Sequence, residues 1–287
     1  MRYGLLGVVV LLTTGPVARS EKRAFPLGIA EQTVLSEVAV VGKVTSLEEE
    51  IVEVKDYPMA RDKTAYTIAV VKVESVVRGA KNTTHIKVGF VMRGEPTREQ
   101  LLRDDVIDRR HENLAEGGRY LLHLQKHPSG GFYTSPSNMP PLPITDADKQ
   151  TEAIAEATLA AGAIADPLKA LQAETVRDRT LAAMVLVLHY RNPPDTRGME
   201  LVPVDATVSA AILKAVAEGD WTVAVTGHRC LSHVFDHLGV TGNDGRKDLV
   251  VDPNENIQIA RQIAFQDWLA GPGEKFRIQK YVAKVKK

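Results

Sequence analysis

One short stretch of the chain combines residue types that bind metal ions. Within residues 227–238 (GHRCLSHVFDHL), Cys230, His233 and His237 are separated by three and four positions. On a helix these three side chains fall within about 60° of one another, opposite a stripe of apolar side chains. Thiolate and imidazole are ligands that zinc prefers, and three ligands with an open fourth position suit a hydrolytic site. Cys230, His233 and His237 are therefore candidate zinc ligands.

The same histidines also have an ordinary interpretation as surface or interhelical side chains. No glutamate lies between His233 and His237, so the H-E-x-x-H pattern of zinc proteases is absent. Neither a G-x-S-x-G nucleophile motif nor a phosphate-binding P-loop occurs in the sequence. The acidic turn at 243–252 does not have the alternating carboxylates of an EF-hand calcium loop. The residues thus favour a non-catalytic protein, with zinc-dependent chemistry as the alternative.

The front half of the chain has the period-two pattern of β-strands. Its longest run is Tyr66–Gly79 (YTIAVVKVESVVRG), where the alternation of apolar residues changes phase after Val70. A change of phase is what a β-bulge produces, and bulges supply the bends that small barrels need. A charged segment at 95–116 is predicted to form a surface helix before the last hairpin. The expected partner strands are residues 38–46, 85–92, 119–126 and 132–134, with a shorter run at 49–54.

Five strands with a helix before the last hairpin is the element order of an OB-like barrel. The runs at 38–46, 66–79, 86–90 and 117–124 (GGRYLLHL) resemble the TIMP/netrin-like OB-fold domain of secreted proteins. The resemblance covers roughly residues 34–135 and implies an extracytoplasmic barrel that binds other proteins. In the inhibitors of that family, an N-terminal cysteine chelates the zinc of the target protease. This chain has no cysteine in the region, so the resemblance implies neither that route of inhibition nor any particular functional residue.

Beyond residue 135 the pattern changes from strands to helices. The proline-rich stretch SPSNMPPLP predicts a linker at 136–144. Asp166 followed by Pro167 is an N-cap with proline at the first helical position. Helices are predicted at 145–162, around 181–188, and at 205–218, 227–238 and 255–269. Together they indicate an irregular bundle or a HEAT-like stack.

The first twenty residues have the features of a secretory signal peptide. A basic start, an apolar run and the small-residue site at 18–20 predict cleavage after Ser20. The chain that remains has 34 basic and 36 acidic residues, a net charge of −2, which argues against nucleic acid and anionic membranes as partners. With Cys230 as the one cysteine, no internal disulfide is expected. The predicted location is periplasmic or extracellular, without an integral membrane segment after signal cleavage.

These patterns predict an α+β protein. It has a signal peptide (1–20), a five-stranded OB-like β-barrel (31–135), a linker (136–144) and an irregular helical domain (145–287). The expected function is that of an exported, non-catalytic protein-binding or scaffolding module, whose protein partner lies in the cell envelope or the extracellular space. Two alternatives stay open: a metal-dependent hydrolase that uses Cys230, His233 and His237, and an inhibitor of an envelope protease.

Overall fold

The computed structural model describes residues 27–91, 113–136, 138–145, 147–192, 198–227, 229–246 and 256–284. The predicted signal peptide at 1–20 and nearly all of the predicted helix at 95–116 lie outside these residues. Within them the chain is α+β, with one large sheet, a two-stranded sheet and seven α-helices. None of these helices is long and apolar enough to cross a membrane.

Five strands of the large sheet form a closed ring. The sheet contains Val38–Leu47 (β1), Val52–Val54 (β2), Thr64–Arg78 (β3), His85–Phe90 (β4), Arg119–Lys126 (β5), Tyr133–Thr134 (β6) and Leu142–Pro143 (β7). Hydrogen bonds connect β1 to β3, β3 to β4, β4 to β6, β6 to β5, and β5 back to β1. All neighbours in the ring are antiparallel except β4 and β6, which are parallel. β2 and β7 add to the outside of the ring by pairing with β3 and β5.

The strands of the ring bend at irregular positions in the β1–β3 pairing. Three register shifts occur in this pairing. At one shift the extra residue is Thr45 on β1, and at the other two it is Glu74 or Val77 on β3. A bulge bends its strand and increases its twist, which helps a sheet to close on itself. At Val70, where the sequence pattern changes phase, the bulge is therefore on the partner strand β1 and not on β3.

The interior of the ring is filled by one hydrophobic cluster. On β3 the side chains that belong to it are Ala69, Val71 and, in part, Val73. Because side chains alternate along a strand, the apolar residues through Ile68 lie on the opposite face of β3. The fully buried members of the cluster are Val38, Val40, Val44, Ala69, Val71, Ala80, Ile86, Val88, Leu114, Tyr120, Leu122 and Leu124.

The helices surround a second core. They are Ile29–Leu35 (α1), Ala147–Ala165 (α2), Pro167–Leu171 (α3), Val176–Arg191 (α4), Ala206–Glu218 (α5), Leu231–His237 (α6) and Ile257–Ala270 (α7). Asp166, Thr175 and Asp205 accept hydrogen bonds from backbone N–H groups at the starts of α3, α4 and α5, which satisfies donors that have no partner within the helix. The predicted N-cap at Asp166 is confirmed. Helix α4 is buried from Thr180 to Leu188, with α2, α5 and α6 packed around it.

Helix α1 connects the ring to the helical core. Ala30 and Val34 are buried in the helical cluster, where α1 packs on α2 and α4. On the side of the ring, Thr33 Oγ1 lies 3.0 Å from Nε2 of His123 on β5. Arg78 of β3 donates hydrogen bonds to the carbonyl oxygens of Thr33 and Val34. The two cores are therefore tied together by a seven-residue helix.

The proline-rich stretch predicted as a linker is partly a strand. Leu142 pairs with Leu121 and Pro143 with Tyr120, and the Ile144 N–H donates to the carbonyl oxygen of Arg119. A proline can occupy this strand because β7 is short and lies at the edge of the sheet.

A second small sheet lies among the helices. Strand Met199–Pro203 (β8) pairs antiparallel with Gln279–Ala283 (β9). Neither strand is among the predicted elements, because both are only five residues long and β9 lies in a basic stretch of the chain.

The helix predicted at 227–238 is shorter in the structure. Helix α6 begins at Leu231, and Cys230 is its N-cap residue with an extended backbone. The chain before it makes a turn at Gly227, where φ is +54°. A Cβ at Gly227 would lie 3.0 Å from the backbone of Gly28. Close packing of this turn against the residue that precedes α1 prevents the helix from starting earlier.

Candidate functional site

A polar cavity of about 400 Å³ lies at one end of the ring. Tyr66 of β3, the end of β5 and the segment after β6 form its walls, and the loop between β2 and β3 contributes Asp56. Three of its side chains have hydrogen-bonding atoms that bear on function: Asp56, His127 and Ser135.

His127 is held rigidly beside this cavity. Its exposed fraction is 4%. The ring stacks on Phe132 with centroids 4.8 Å apart and contacts the edge of Tyr66 at 5.2 Å. Its Nδ1 accepts a hydrogen bond of 3.2 Å from the backbone N–H of Ser129, so the neutral ring carries its proton on Nε2. Within the described part of the chain, that Nε2 has no hydrogen-bond partner.

Asp56 and Tyr66 form the acidic side of the same cavity. One carboxylate oxygen of Asp56 accepts a hydrogen bond of 2.8 Å from the Tyr66 hydroxyl, and the other accepts one of 2.9 Å from Thr64. Burial, the hydrogen bond to Asp56 and the charge of Asp56 raise the pKa of Tyr66. The phenol therefore stays protonated and keeps the carboxylate in place. His127 Nε2 lies 3.9 Å from Asp56 Oδ1, beyond hydrogen-bond distance.

The cavity can bind a polar group but is not arranged for nucleophilic catalysis. Ser135 Oγ is buried and, among the described residues, also has no partner. In a serine-type triad the histidine must accept the proton of the nucleophile through a free ring nitrogen. Here the lone pair of His127 is on Nδ1 and already accepts the Ser129 N–H. What remains is an N–H donor at His127, a hydroxyl at Ser135 and a carboxylate at Asp56.

An exposed apolar loop adjoins the cavity. In the loop that contains Asp56, Tyr57 and Met59 have exposed fractions of 60% and 90%, and Ile51, just before β2, has 61%. Isolated exposed apolar residues are common, but Tyr57 and Met59 lie on one loop and Ile51 lies at the other end of the short strand β2, so together they offer apolar area that can be buried against another molecule. The site thus consists of a polar cavity beside an apolar rim.

The structure places two of the three predicted metal ligands in contact. Cys230 Sγ lies 3.5 Å from His233 Nδ1 and 3.0 Å from the hydroxyl of Ser232. His237 is in the last turn of α6, and the described residues contain no group of three His, Cys, Asp or Glu side chains that could hold a metal ion. The arc predicted for Cys230, His233 and His237 assumed one continuous helix, whereas Cys230 has an extended backbone.

Several positive charges lie close to His237, together with the carboxylate of Asp236. Burial lowers the pKa of His237, and the charges of Arg229, His233 and Arg191 act in the same direction, opposed by Asp236. Arg229 itself pairs with the buried Glu31 at 2.5 Å. These cations disfavour a metal cation at this place.

The sequence did not predict the cavity at the end of the ring. His127 lies just after the last residue of β5, where no local pattern indicates that its side chain is buried. Of the nearby aromatic residues, Tyr120 and Tyr133 pack in the ring cluster. Phe132 is buried under the ring of His127. The only signal for the site in the sequence is the placement of His127 and Phe132 on either side of the turn PSGG.

No family model and no curated protein matches this sequence.

Proposed function

We propose that this protein is an exported, non-catalytic protein-binding module that recognises its partner at the end of the barrel. The single observation that carries the proposal is the combination there of two buried polar atoms that have no partner among the described residues and an apolar loop that is exposed. A buried donor or acceptor without a partner costs about 1–3 kcal/mol. Such a cost is accounted for if His127 and Ser135 are satisfied by a bound molecule.

The pairing of the strands supports an OB-like barrel as the scaffold. We number the five ring strands 1 to 5 in chain order, that is β1, β3, β4, β5 and β6. Around the ring their order is then 1-2-3-5-4, strand 4 pairs back with strand 1, and strands 3 and 5 are parallel. An OB-fold is a five-stranded barrel of Greek-key type that binds ligands on its surface loops and strands. The helical half, for which we infer an irregular bundle and not a regular HEAT-like stack, would then support the barrel through α1.

The rim and the cavity have different roles in this proposal. A cavity of about 400 Å³ can take up a few side-chain atoms of a partner. Specific interfaces bury about 800 Å² of surface on each partner, so most of the contact area must come from outside the cavity. Tyr57, Met59 and Ile51 would supply the apolar contact. A polar side chain of the partner would enter the cavity, accept the N–H of His127 and hydrogen-bond to Ser135.

The proposal is tested by affinity capture from an envelope extract of the source cells with the full mature chain as bait. Wild-type protein should retain a defined partner, and Met59→Ser should weaken its binding about tenfold, as expected for an apolar side chain central to an interface. Ile263→Ser is the control, because Ile263 is also an exposed apolar residue and lies on α7, in the helical half.

Ser135→Ala separates binding from folding. Removing a buried hydroxyl without a partner should leave the melting temperature unchanged or higher, while binding of the partner becomes weaker. Failure of the wild-type chain to retain any partner, or equal retention by wild type, Met59→Ser and Ser135→Ala, would refute the proposal.

Two further measurements test the two alternatives. If the retained partner is a protease whose activity falls on binding, the protein is an inhibitor. For the hydrolase, Cys230, His233 and His237 would hold one zinc ion, so elemental analysis of purified protein should find about one zinc per chain that is lost in His233→Ala. Protein without stoichiometric metal would remove that alternative.

A further inference from the structure

A second and larger cavity lies between the ring and the helical core, separate from the barrel-end site. It has a volume of about 780 Å³, within the range of sites for small organic ligands. The end of α1, the start of β1 and Arg78 of β3 form one wall. The opposite wall consists of the end of α4, with His189 and Tyr190, and of strand β9 with Lys280 and Tyr281.

Arg78 has unused hydrogen-bond donors in this cavity. Its Nη1 donates to the carbonyl oxygens of Thr33 and Val34 at the end of α1. Its Nε and Nη2 donate to no residue of the described chain, and no carboxylate there pairs with it. Burial lowers the pKa of Arg78, which remains charged because guanidinium does not lose its proton in proteins. A partly buried cation with free donors on one side is thus presented to the cavity.

Lys280 brings a second positive charge to the same space. Its Nζ lies 5.9 Å from the ring centroid of Tyr190, and among the described residues it forms no ion pair. Burial and then the charges of Arg78 and Lys280 lower the pKa of His189. Because the charges of Arg78 and Lys280 both act on the imidazole of His189, the two cations lie in the same part of the cavity. The one carboxylate among the described lining residues is Glu37, whose side chain is exposed.

The rest of the lining combines apolar surface with the polar residues Ser36, Gln125, Asn138 and Asn192. Val34, Met139, Met199 and Val282 contribute aliphatic or thioether surface, and Tyr190 and Tyr281 contribute aromatic rings. Met139 is almost completely buried. A ligand complementary to this lining has an apolar body and a negatively charged end.

We propose that the cavity between the ring and the helical core binds an organic monocarboxylate, with its carboxylate at Arg78 and Lys280 and its apolar body against the methionines and tyrosines. A guanidinium fork and an ammonium group together match one carboxylate. A polyphosphate does not fit, because two cations and a nearby Glu37 would leave most of its charge uncompensated. A neutral apolar ligand does not fit either, since it would cover the free donors of Arg78.

The test is a calorimetric titration of the full mature chain with benzoate, octanoate and naphthalene-2-carboxylate. At least one of these acids should bind with a dissociation constant below about 1 mM. The matching neutral carboxamide should bind at least about tenfold more weakly, because it has no charge to pair with Arg78 and Lys280. Lys280→Gln should weaken binding of the carboxylate by about tenfold for the same reason.

Two further variants keep the result interpretable. Lys214→Gln removes the same charge from an exposed lysine on α5 and should bind like wild type. Arg78→Lys keeps the charge but not the fork, and should weaken binding while circular dichroism shows a folded protein. If none of the three acids binds wild type, or if the amide binds as well as the acid, the proposal is wrong. Equal weakening by Lys214→Gln and Lys280→Gln would also overturn it, since it would mean that only the overall charge matters.

Discussion

The burial of single polar residues determines how this protein responds to pH. His123 is completely buried on β5, where Nε2 meets Thr33 and Nδ1 has no partner among the described residues. A charged imidazole would need acceptors for two N–H groups and would lie in an apolar environment. Burial therefore lowers the pKa of His123 from 6.5 to about 4.

His123 should make the folded protein less stable in mild acid. The unfolded chain binds a proton at His123 near pH 6.5, whereas the folded chain binds it only near pH 4. The free energy of unfolding is thus unaffected above pH 6.5 and falls as the pH decreases from 6.5 to 4, by about 3 kcal/mol in total. Denaturant titrations across this range should show a shallower pH dependence in His123→Gln, whose amide can still reach Thr33.

The exposed His85 supplies the control for that measurement. His85→Gln should keep the pH dependence of wild type. If His123→Gln and wild type lose stability in parallel between pH 6.5 and 4, His123 is not the group responsible.

At the scale of elements, glycines mark where strands come close together. Gly42 lies on β1 at a point where β1 pairs with β3 on one side and β5 on the other. A Cβ at Gly42 would lie 2.5 Å from a methyl group of Val71 and 2.9 Å from the carbonyl oxygen of Lys72. Since the second contact is with backbone, the strands would have to move apart.

Gly42→Ala should therefore reduce the free energy of unfolding by about 2 kcal/mol, the usual size of an overpacking effect. Gly162→Ala is a matched change with the opposite expected sign. Gly162 lies on the exposed side of α2, where a Cβ would contact nothing, and alanine favours the helix by about 1 kcal/mol. Chemical denaturation of both variants checks the pair; a stabilised Gly42→Ala protein would contradict the packing described for the ring.

Element positions could be predicted where the sequence carries local signals, and other features depend on distant contacts. The alternation in β3 and β4 and the cap at Asp166 are local, so their positions agree closely with the structure. The sequence did not show which face of β3 packs in the core. That depends on its pairing with β1, where the extra residue Thr45 lies opposite the change of phase. Strand β5 alternates Tyr120, Leu122 and Leu124, which pack in the ring cluster, but its other face is buried as well because α1 covers it, and the sequence did not predict that contact.

The candidate site was missed for a similar reason. His127 and Asp56 are about 70 residues apart in sequence and approach each other only because β3 and β5 belong to one closed ring. The arc predicted for Cys230, His233 and His237 assumed a helix that starts at Gly227, whereas the chain turns there, in close contact with Gly28. In both places the decisive neighbour is remote in the sequence.

At the scale of the whole molecule, α1 should make the two cores unfold together. Its Ala30 and Val34 belong to the helical core, while its Thr33 contacts His123 of the ring. Val34→Asn would bury a polar amide among apolar residues and should cost about 3 kcal/mol. We expect the loss of both cores at the same denaturant concentration, in wild type and in the variant.

Two probes can follow the cores separately. Trp221 and Trp268 are the two tryptophans of the chain, and both are buried in the helical core, so their fluorescence follows that half. Methyl NMR signals of Val40 and Leu122 follow the ring. Val176→Asn, at an exposed valine, controls for the substitution itself. Separate transitions for tryptophan fluorescence and methyl signals would show that α1 does not couple the halves.

The pairing of β8 with β9 has a consequence for the order of events during synthesis. About 80 residues separate the two strands, so β8 leaves the ribosome several seconds before its partner exists, at about 5–20 residues per second. During this interval its unpaired backbone can pair with another nascent chain. Lys280 and Tyr281, which complete one wall of the larger cavity, arrive with β9. A ligand for that cavity can therefore bind only after β9 has been made, and its binding would favour the correct closure of the small sheet over intermolecular pairing.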